Sequence, residues 1–241
     1  MARAGLSVGQ RSPGGALLRW CHRIDHPAHA GVVPGCAPAG TITAMTSSRL
    51  RQPVPLDRAT RLINHGPTVL VSARHGGRSN VMAAAWNMAL DFAPPKVAVV
   101  IDKATFTRGL IEASGHFALS VPCRAQAALT TAIGGVSGQT VDKPATLPGL
   151  AWIDDEPASP APLVAGCVAW LACRLLPEPH IQQTYDLFLG EVVGAWADTR
   201  VYSDGRWHFD GHDELRTLHH VAGGHYLLAG AAVGTDAGAA G

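Results

Sequence analysis

Thr68-Val69-Leu70-Val71-Ser72-Ala73, then His75-Gly76-Gly77-Arg78, then Asn80-Val81-Met82-Ala83-Ala84-Ala85-Trp86-Asn87-Met88 spell a strand, a turn and a return strand. The first run is rich in β-branched residues, which suit a pleated surface. The two glycines supply the positive φ that a two-residue hairpin turn demands. Three successive alanines have helical propensity, but their place after a Gly-Gly turn predicts a strand over 80–88. Side chains this small let a flat ligand approach the backbone. Pro94-Pro95 stops the strand. Lys96-Val97-Ala98-Val99-Val100-Ile101 follows, a continuous apolar run of the kind buried on both faces.

The same reading extends in both directions. Residues 53–64 carry a short helix with Asp57 as its N-cap. Asp102-Lys103-Ala104-Thr105 opens a helix through Phe106, Leu110 and Ile111 that Gly115 closes. A strand is expected over 117–121, a helix over 124–133, and a flexible loop over 134–138. Long strands run over 167–176 and 184–196, joined by a hairpin connection at Pro177-Glu178-Pro179-His180. Six to eight strands with two or three short helices, without strict alternation, predict a mainly β protein, a small antiparallel barrel with helices at its edges.

Composition excludes several classes. Of 241 residues, 47% are hydrophobic and only 15% charged, so most of the chain can build a core. A net charge of +1 argues against a nucleic-acid or membrane-surface protein. No run of about 18 apolar residues is present, so none spans a bilayer as a helix. Residues 1–44 set Arg3, Arg11, Arg19 and Arg23 against the single acid Asp25 and show no period. They read as a disordered extension or a start assigned too far upstream, with Met45 as the true first residue. The remaining body carries 15 basic and 17 acidic residues, a charge of −2. One domain is expected over 45–230, with a flexible small-residue tail over 231–241.

Cys123, Cys167 and Cys173 in the body are an odd set without a C-x-x-C pair, which points to a reducing cytoplasm. The even spacing of Cys167 and Cys173 predicts that they share one face of a strand as small core residues. Nucleotide fingerprints are absent, and Ser137 lacks the spacing of a nucleophile elbow. His208, His212, His219, His220 and His225 share no helical register, so surface histidines describe them better than a metal site.

Several blocks, in order, resemble the flavin reductase-like family of FMN-binding split barrels, its flavoredoxin branch in particular. They are Asn80-Val81-Met82-Ala83-Ala84-Ala85-Trp86 with Asp91-Phe92-Ala93-Pro94-Pro95-Lys96-Val97, Asp102-Lys103-Ala104-Thr105-Phe106-Thr107-Arg108, and Gly115-His116-Phe117-Ala118-Leu119-Ser120-Val121-Pro122. Val136-Ser137-Gly138-Gln139-Thr140-Val141-Asp142-Lys143, Phe188-Leu189-Gly190-Glu191 and Gly223-Gly224-His225-Tyr226 complete the series. The resemblance covers about residues 53–230 and rests on order and spacing together. It implies a six-stranded-type antiparallel split β-barrel of Greek-key form with short flanking helices.

The resemblance also implies a function: an FMN-dependent NAD(P)H:flavin oxidoreductase, taking hydride from NADH or NADPH and passing electrons to a second acceptor. The chemistry is the cofactor's, so no acid–base dyad or nucleophile is needed. Asn80, Ala83, Ala84, Ala85, Trp86, Asn87 and Met88 are the candidates for the flavin ring. Asp102, Lys103, Thr105, Phe106 and Thr107, at a strand-to-helix turn, are further cofactor candidates, and of these Lys103, Thr105 and Thr107 offer a cation, hydroxyls and a helix N-terminus to the phosphate. A homodimer is implied, with FMN at the subunit interface, as is a monooxygenase or other electron-accepting partner. Two alternatives stay open: a flavoredoxin-like carrier that does not oxidise NAD(P)H, and a split barrel without flavin. The family often has Thr or Ser where Ala83 and Ala85 stand. Trp86 fits the flavin and the dimer partner equally well. Lys143 reads as a solvated loop charge, with a phosphate contact as the alternative, and Trp196 as a residue that narrows the site.

Overall fold

The computed structural model describes residues 50–157 and 159–234. The extension expected over 1–44 and all but the first residues of the 231–241 tail lie outside them. Eight strands form one antiparallel sheet: β1 (Arg51–Pro53), β2 (Val69–His75), β3 (Arg78–Ala84), β4 (Asn87–Phe92), β5 (Pro95–Val100), β6 (His116–Val121), β7 (Ala169–Leu176) and β8 (Leu187–Asp198). Their order is β3-β2-β6-β7-β8-β5-β4, with β1 also on β8. The sheet curls so that its two edges, β3 and β4, are consecutive in the chain. Only Ala85 and Trp86 separate them, and no ladder joins them. This is the split barrel.

Gly76 and Gly77 both take positive φ, at 56° and 76°, as a two-residue hairpin between right-twisted strands requires. Helix α1 (Phe106–Ser114) begins where expected and ends at Gly115 in the left-handed conformation. Helix α2 (Ala127–Gly135) lies against β3, and α3 (Lys143–Thr146) starts with Asp142 accepting from the Ala145 N–H. A C-terminal hairpin pairs β9 (Leu218–Ala222) with β10 (His225–Leu228).

Strand alternation sends side chains into two cores. Val69, Val71, Phe117, Leu119, Val121, Leu171 and Phe188 belong to the larger one. Leu70, Ala118, Trp170 and Ala172, in between, belong to the second, which Ile133 of α2 completes. Covering both faces explains why these strands read as continuous apolar runs.

Six expectations about the elements and the core are corrected. The strand over 80–88 breaks at Ala85 and Trp86, because its two halves pair at opposite edges of the sheet. The connection at 177–180 leads into a helix, α4 (Pro179–Tyr185), with Pro179 in its first turn. Helix α2 takes in Gly134 and Gly135, and a 3-10 turn (Arg124–Gln126) precedes it. Pro55 rather than Asp57 stands at the N-cap of the 3-10 helix Leu56–Leu62. Cys167 and Cys173 lie in different cores, since β7 starts only at Ala169. Trp196 is buried in the second core rather than narrowing any site.

Candidate functional site

A groove of about 380 Å³ opens where β3, α1 and the 138–142 loop converge. Arg78, Ser79 and Asn80 at the start of β3 form one wall, and the loop with Asp142 and Pro144 forms the other. Phe106, the first residue of α1, lies between them. The Arg78 guanidinium stands 4.2 Å from the centre of the Phe106 ring, which fixes a cation at the groove's mouth.

Asn80 holds the walls together. It is buried, and its side-chain amide donates to the Thr107 hydroxyl at 2.8 Å, linking β3 to the first turn of α1. Gly138 packs onto the Asn80 amide so closely that a Cβ there would lie 2.4 Å from Oδ1. Gln139 reaches across to donate to the Ala104 carbonyl at 3.2 Å. Thr105, the N-cap of α1, turns its hydroxyl back to the Asp102 carbonyl and makes no side-chain cap. The first-turn N–H groups of α1 therefore have no side-chain partner and present positive dipole toward the groove.

Lys143 lies beneath this loop and is only 3% exposed. Its ammonium donates to the carbonyls of Val81 in β3 and Ile133 in α2, each at 2.8 Å. Ile133 is among the last residues of α2, whose carbonyls have no partner within the helix. Burial without a carboxylate partner pulls the Lys143 pKa down to about 8. It is neither a solvated loop charge nor a free phosphate ligand. Val81 and Ala83 lie on β3, an edge strand of the sheet, and the Ala83 side chain faces Gly134 of α2.

The expected site residues fall into three groups. Asn80, Phe106 and Thr107 come together at the groove. Ala83, Ala85 and Trp86 lie along the open edge, while the Ala84 side chain belongs to the larger core. Asn87 is anchored by its amide donating to the Pro67 carbonyl at 2.8 Å. Beyond it, Trp86, Met88, Leu90 and Phe92 are all exposed large apolar side chains, Trp86 at 72% and Phe92 at 73%. Lys103 stands apart from the groove lining, 3.8 Å from Asp186, and Asp102 accepts from the Ala104 N–H. Arg78, Ser79, Gln139 and Thr140 line the groove although sequence reading passed over them. Their signal was adjacency: Arg78 follows the Gly-Gly turn, and Gln139 sits in the Ser-Gly…Asp-Lys block.

Asp186 also belongs to a buried hub. The Arg108 guanidinium donates to Asp186, Glu112 and the carbonyls of Ile101 and Gln182, and packs over the Phe188 ring. It locks α1 and α4 to the end of β5. Among the described residues, no group of three or more His, Cys, Asp or Glu converges to hold a metal. No helix among them is long and apolar enough to cross a membrane.

The family model of the flavin reductase like domain matches residues 61–233. The chain is 46% identical over 181 residues to the uncharacterized protein YddH of Escherichia coli (strain K12), covering 74% of this chain and 94% of the relative. Among solved structures, it resembles an FMN-binding domain of a flavin reductases-like enzyme from Shewanella baltica OS155. That match has 50% identity and a TM-score of 0.74, over 77% of this chain and 97% of that one. Flavoredoxin of Desulfovibrio vulgaris (Miyazaki F) matches at 26% identity and a TM-score of 0.62, over 72% and 92%.

Proposed function

The chain belongs to the flavin reductase like family, and from that membership we propose that it binds FMN and works as an NAD(P)H:flavin oxidoreductase. The observation that carries the reading is the groove itself: Arg78 at the start of β3 and Phe106 at the start of α1 line one anion-receptive pocket, and β3 continues from it into the small residues Ala83 and Ala84. That combination suits a flat heterocycle carrying a phosphate.

When bound, FMN supplies the redox chemistry, accepting hydride from NADH or NADPH and passing electrons to a second acceptor. The chain's own residues bind and orient. Arg78, Ser79 and the α1 N–H groups neutralise the phosphate, with Lys103 and Thr105 nearby in the chain. Asn80, Phe106 and Thr107 hold the groove's shape. Ala83, Ala84 and Ala85 leave room for backbone donors to meet the ring. Asn87 fixes the Ala85–Trp86 link, and Trp86 and Met88 shield the ring from water.

The exposed stripe from Trp86 to Phe92 would leave a large apolar surface in water on a lone subunit. A second copy covering it makes a homodimer with FMN at the interface. The acceptor is a monooxygenase or another electron-accepting protein, in a reducing cytoplasm where Cys123, Cys167 and Cys173 stay as free thiols. The likeness to a flavoredoxin favours one second reading, an FMN electron carrier that a partner protein reduces.

Titrating the full-length protein with FMN tests the first step. One FMN per chain with a perturbed visible spectrum is expected. No spectral change and no retention of FMN through gel filtration would leave a split barrel for some other ligand.

A further inference from the structure

A lysine buried without an acid partner is costly, since its charge loses hydration that two carbonyls only partly replace. An apolar side chain of the same length would fill the space beneath the loop more cheaply. What Lys143 alone can do is bridge. Its own backbone lies between Asp142 and Pro144, which line one wall of the groove. Its ammonium reaches Val81, the residue after Asn80, which lines the other. The second bond, to Ile133, ties the same point to the C-terminal end of α2, where a cation is favoured by the helix dipole. No other side chain competes for this role: α2 contains no ionisable residue, Arg78 is the only one on β3, and Asp142 is engaged at the start of α3. Gly138 against Asn80 also draws the two walls together, and Gln139 ties the same loop to Ala104 ahead of α1.

We propose that Lys143 is the positioning residue of the groove: by clamping the 137–142 loop to β3 and α2 it sets the distance between the walls, and thereby the affinity for the flavin. The inference rests on the reading of this groove as the FMN site. The clamp itself can be tested without flavin.

The test compares full-length wild type with Lys143→Met. Amide hydrogen exchange is followed in the flavin-free proteins, the FMN dissociation constant is measured by fluorescence quenching, and thermal unfolding serves as a control for the fold. The clamp predicts amide exchange at least tenfold faster over 137–142, with the amides of α1 and β7 unchanged. It predicts FMN binding at least tenfold weaker while unfolding remains cooperative. Exchange and affinity both equal to wild type would overturn it. If Lys143→Met does not fold, Lys143→Gln, which keeps an amide donor, takes its place with the same readouts. Failure of both to fold would also overturn the proposal, since Lys143 would then support the whole barrel rather than the groove. Should wild type itself bind no FMN, the functional reading fails. The clamp then stands or falls on the exchange over 137–142 alone.

Discussion

Asn80 and Thr107 are 27 residues apart in the chain and 2.8 Å apart in space, the amide of one donating to the hydroxyl of the other with both side chains buried. This single bond joins the edge strand of the barrel to the helix whose N-terminus faces the groove. Thr107→Val keeps the shape and removes the acceptor. A buried amide left unpaired costs about 1–3 kcal/mol, so the urea midpoint falls accordingly, and FMN binding weakens by roughly tenfold for each 1.4 kcal/mol that reaches the site.

Gly138→Ala attacks the same contact from the other side. The new methyl would sit 2.4 Å from Oδ1 and 2.6 Å from Cγ of Asn80. Because Asn80 is held by Thr107, the loop must move instead. Overpacking of this kind costs about 1–3 kcal/mol. The expected result is a lower urea midpoint with unchanged m-value, and weaker FMN binding. Gly135→Ala, with nothing within 4 Å of the added atom, serves as the neutral comparison.

The edge strand β4 predicts the assembly. Phe92→Asp places a charge at one end of an apolar stripe that a second copy would cover, at its most exposed residue. Sedimentation equilibrium of wild type should give a dimer, and the variant should dissociate to monomer at micromolar concentration with lower FMN affinity. A monomeric wild type would remove the dimer from the account.

His65 makes stability depend on pH. The His219 Nδ1–H donates to the Gly66 carbonyl at 3.1 Å, so its Nε2 accepts from the Thr217 hydroxyl. That hydroxyl in turn accepts from the His65 Nε2–H at 3.1 Å, which leaves Nδ1 of His65 buried and without a partner. Burial, with His219 alongside, pulls the His65 pKa from 6.5 down to about 4. The unfolded chain therefore binds the extra proton first. The His65 contribution is full above pH 6.5 and declines as pH falls from 6.5 to 4, by up to about 3 kcal/mol. Chemical denaturation across that range measures the slope, and His65→Phe should reduce it, with the remainder coming from His219, which burial also holds below its usual value.

Local chemistry made much of this fold legible. Gly76-Gly77 could only be a tight turn, Gly115 ended α1 as a left-handed cap, and the alternating faces of β2 and β6 appeared as apolar runs. What stayed hidden depended on partners distant in the chain. Nothing local separates Ala84 from Asn87, yet one pairs with β2 and the other with β5. Lys143 reads as a surface charge until Val81 and Ile133, 62 and 10 residues away, supply the carbonyls that bury it. Of the site, Asn80, Phe106 and Thr107 were found through the resemblance, whereas Arg78 and Gln139 became visible only once β3 and the loop faced each other.

The central claim is that this barrel passes electrons from a nicotinamide through FMN. The direct test is the visible spectrum of the FMN-loaded protein, kept anaerobic, while NADH and then NADPH are added. Rapid loss of flavin absorbance with one of them is predicted, and it would name the donor. A bound flavin that neither nucleotide bleaches, and that only dithionite reduces, would contradict the reductase and leave an electron carrier in its place.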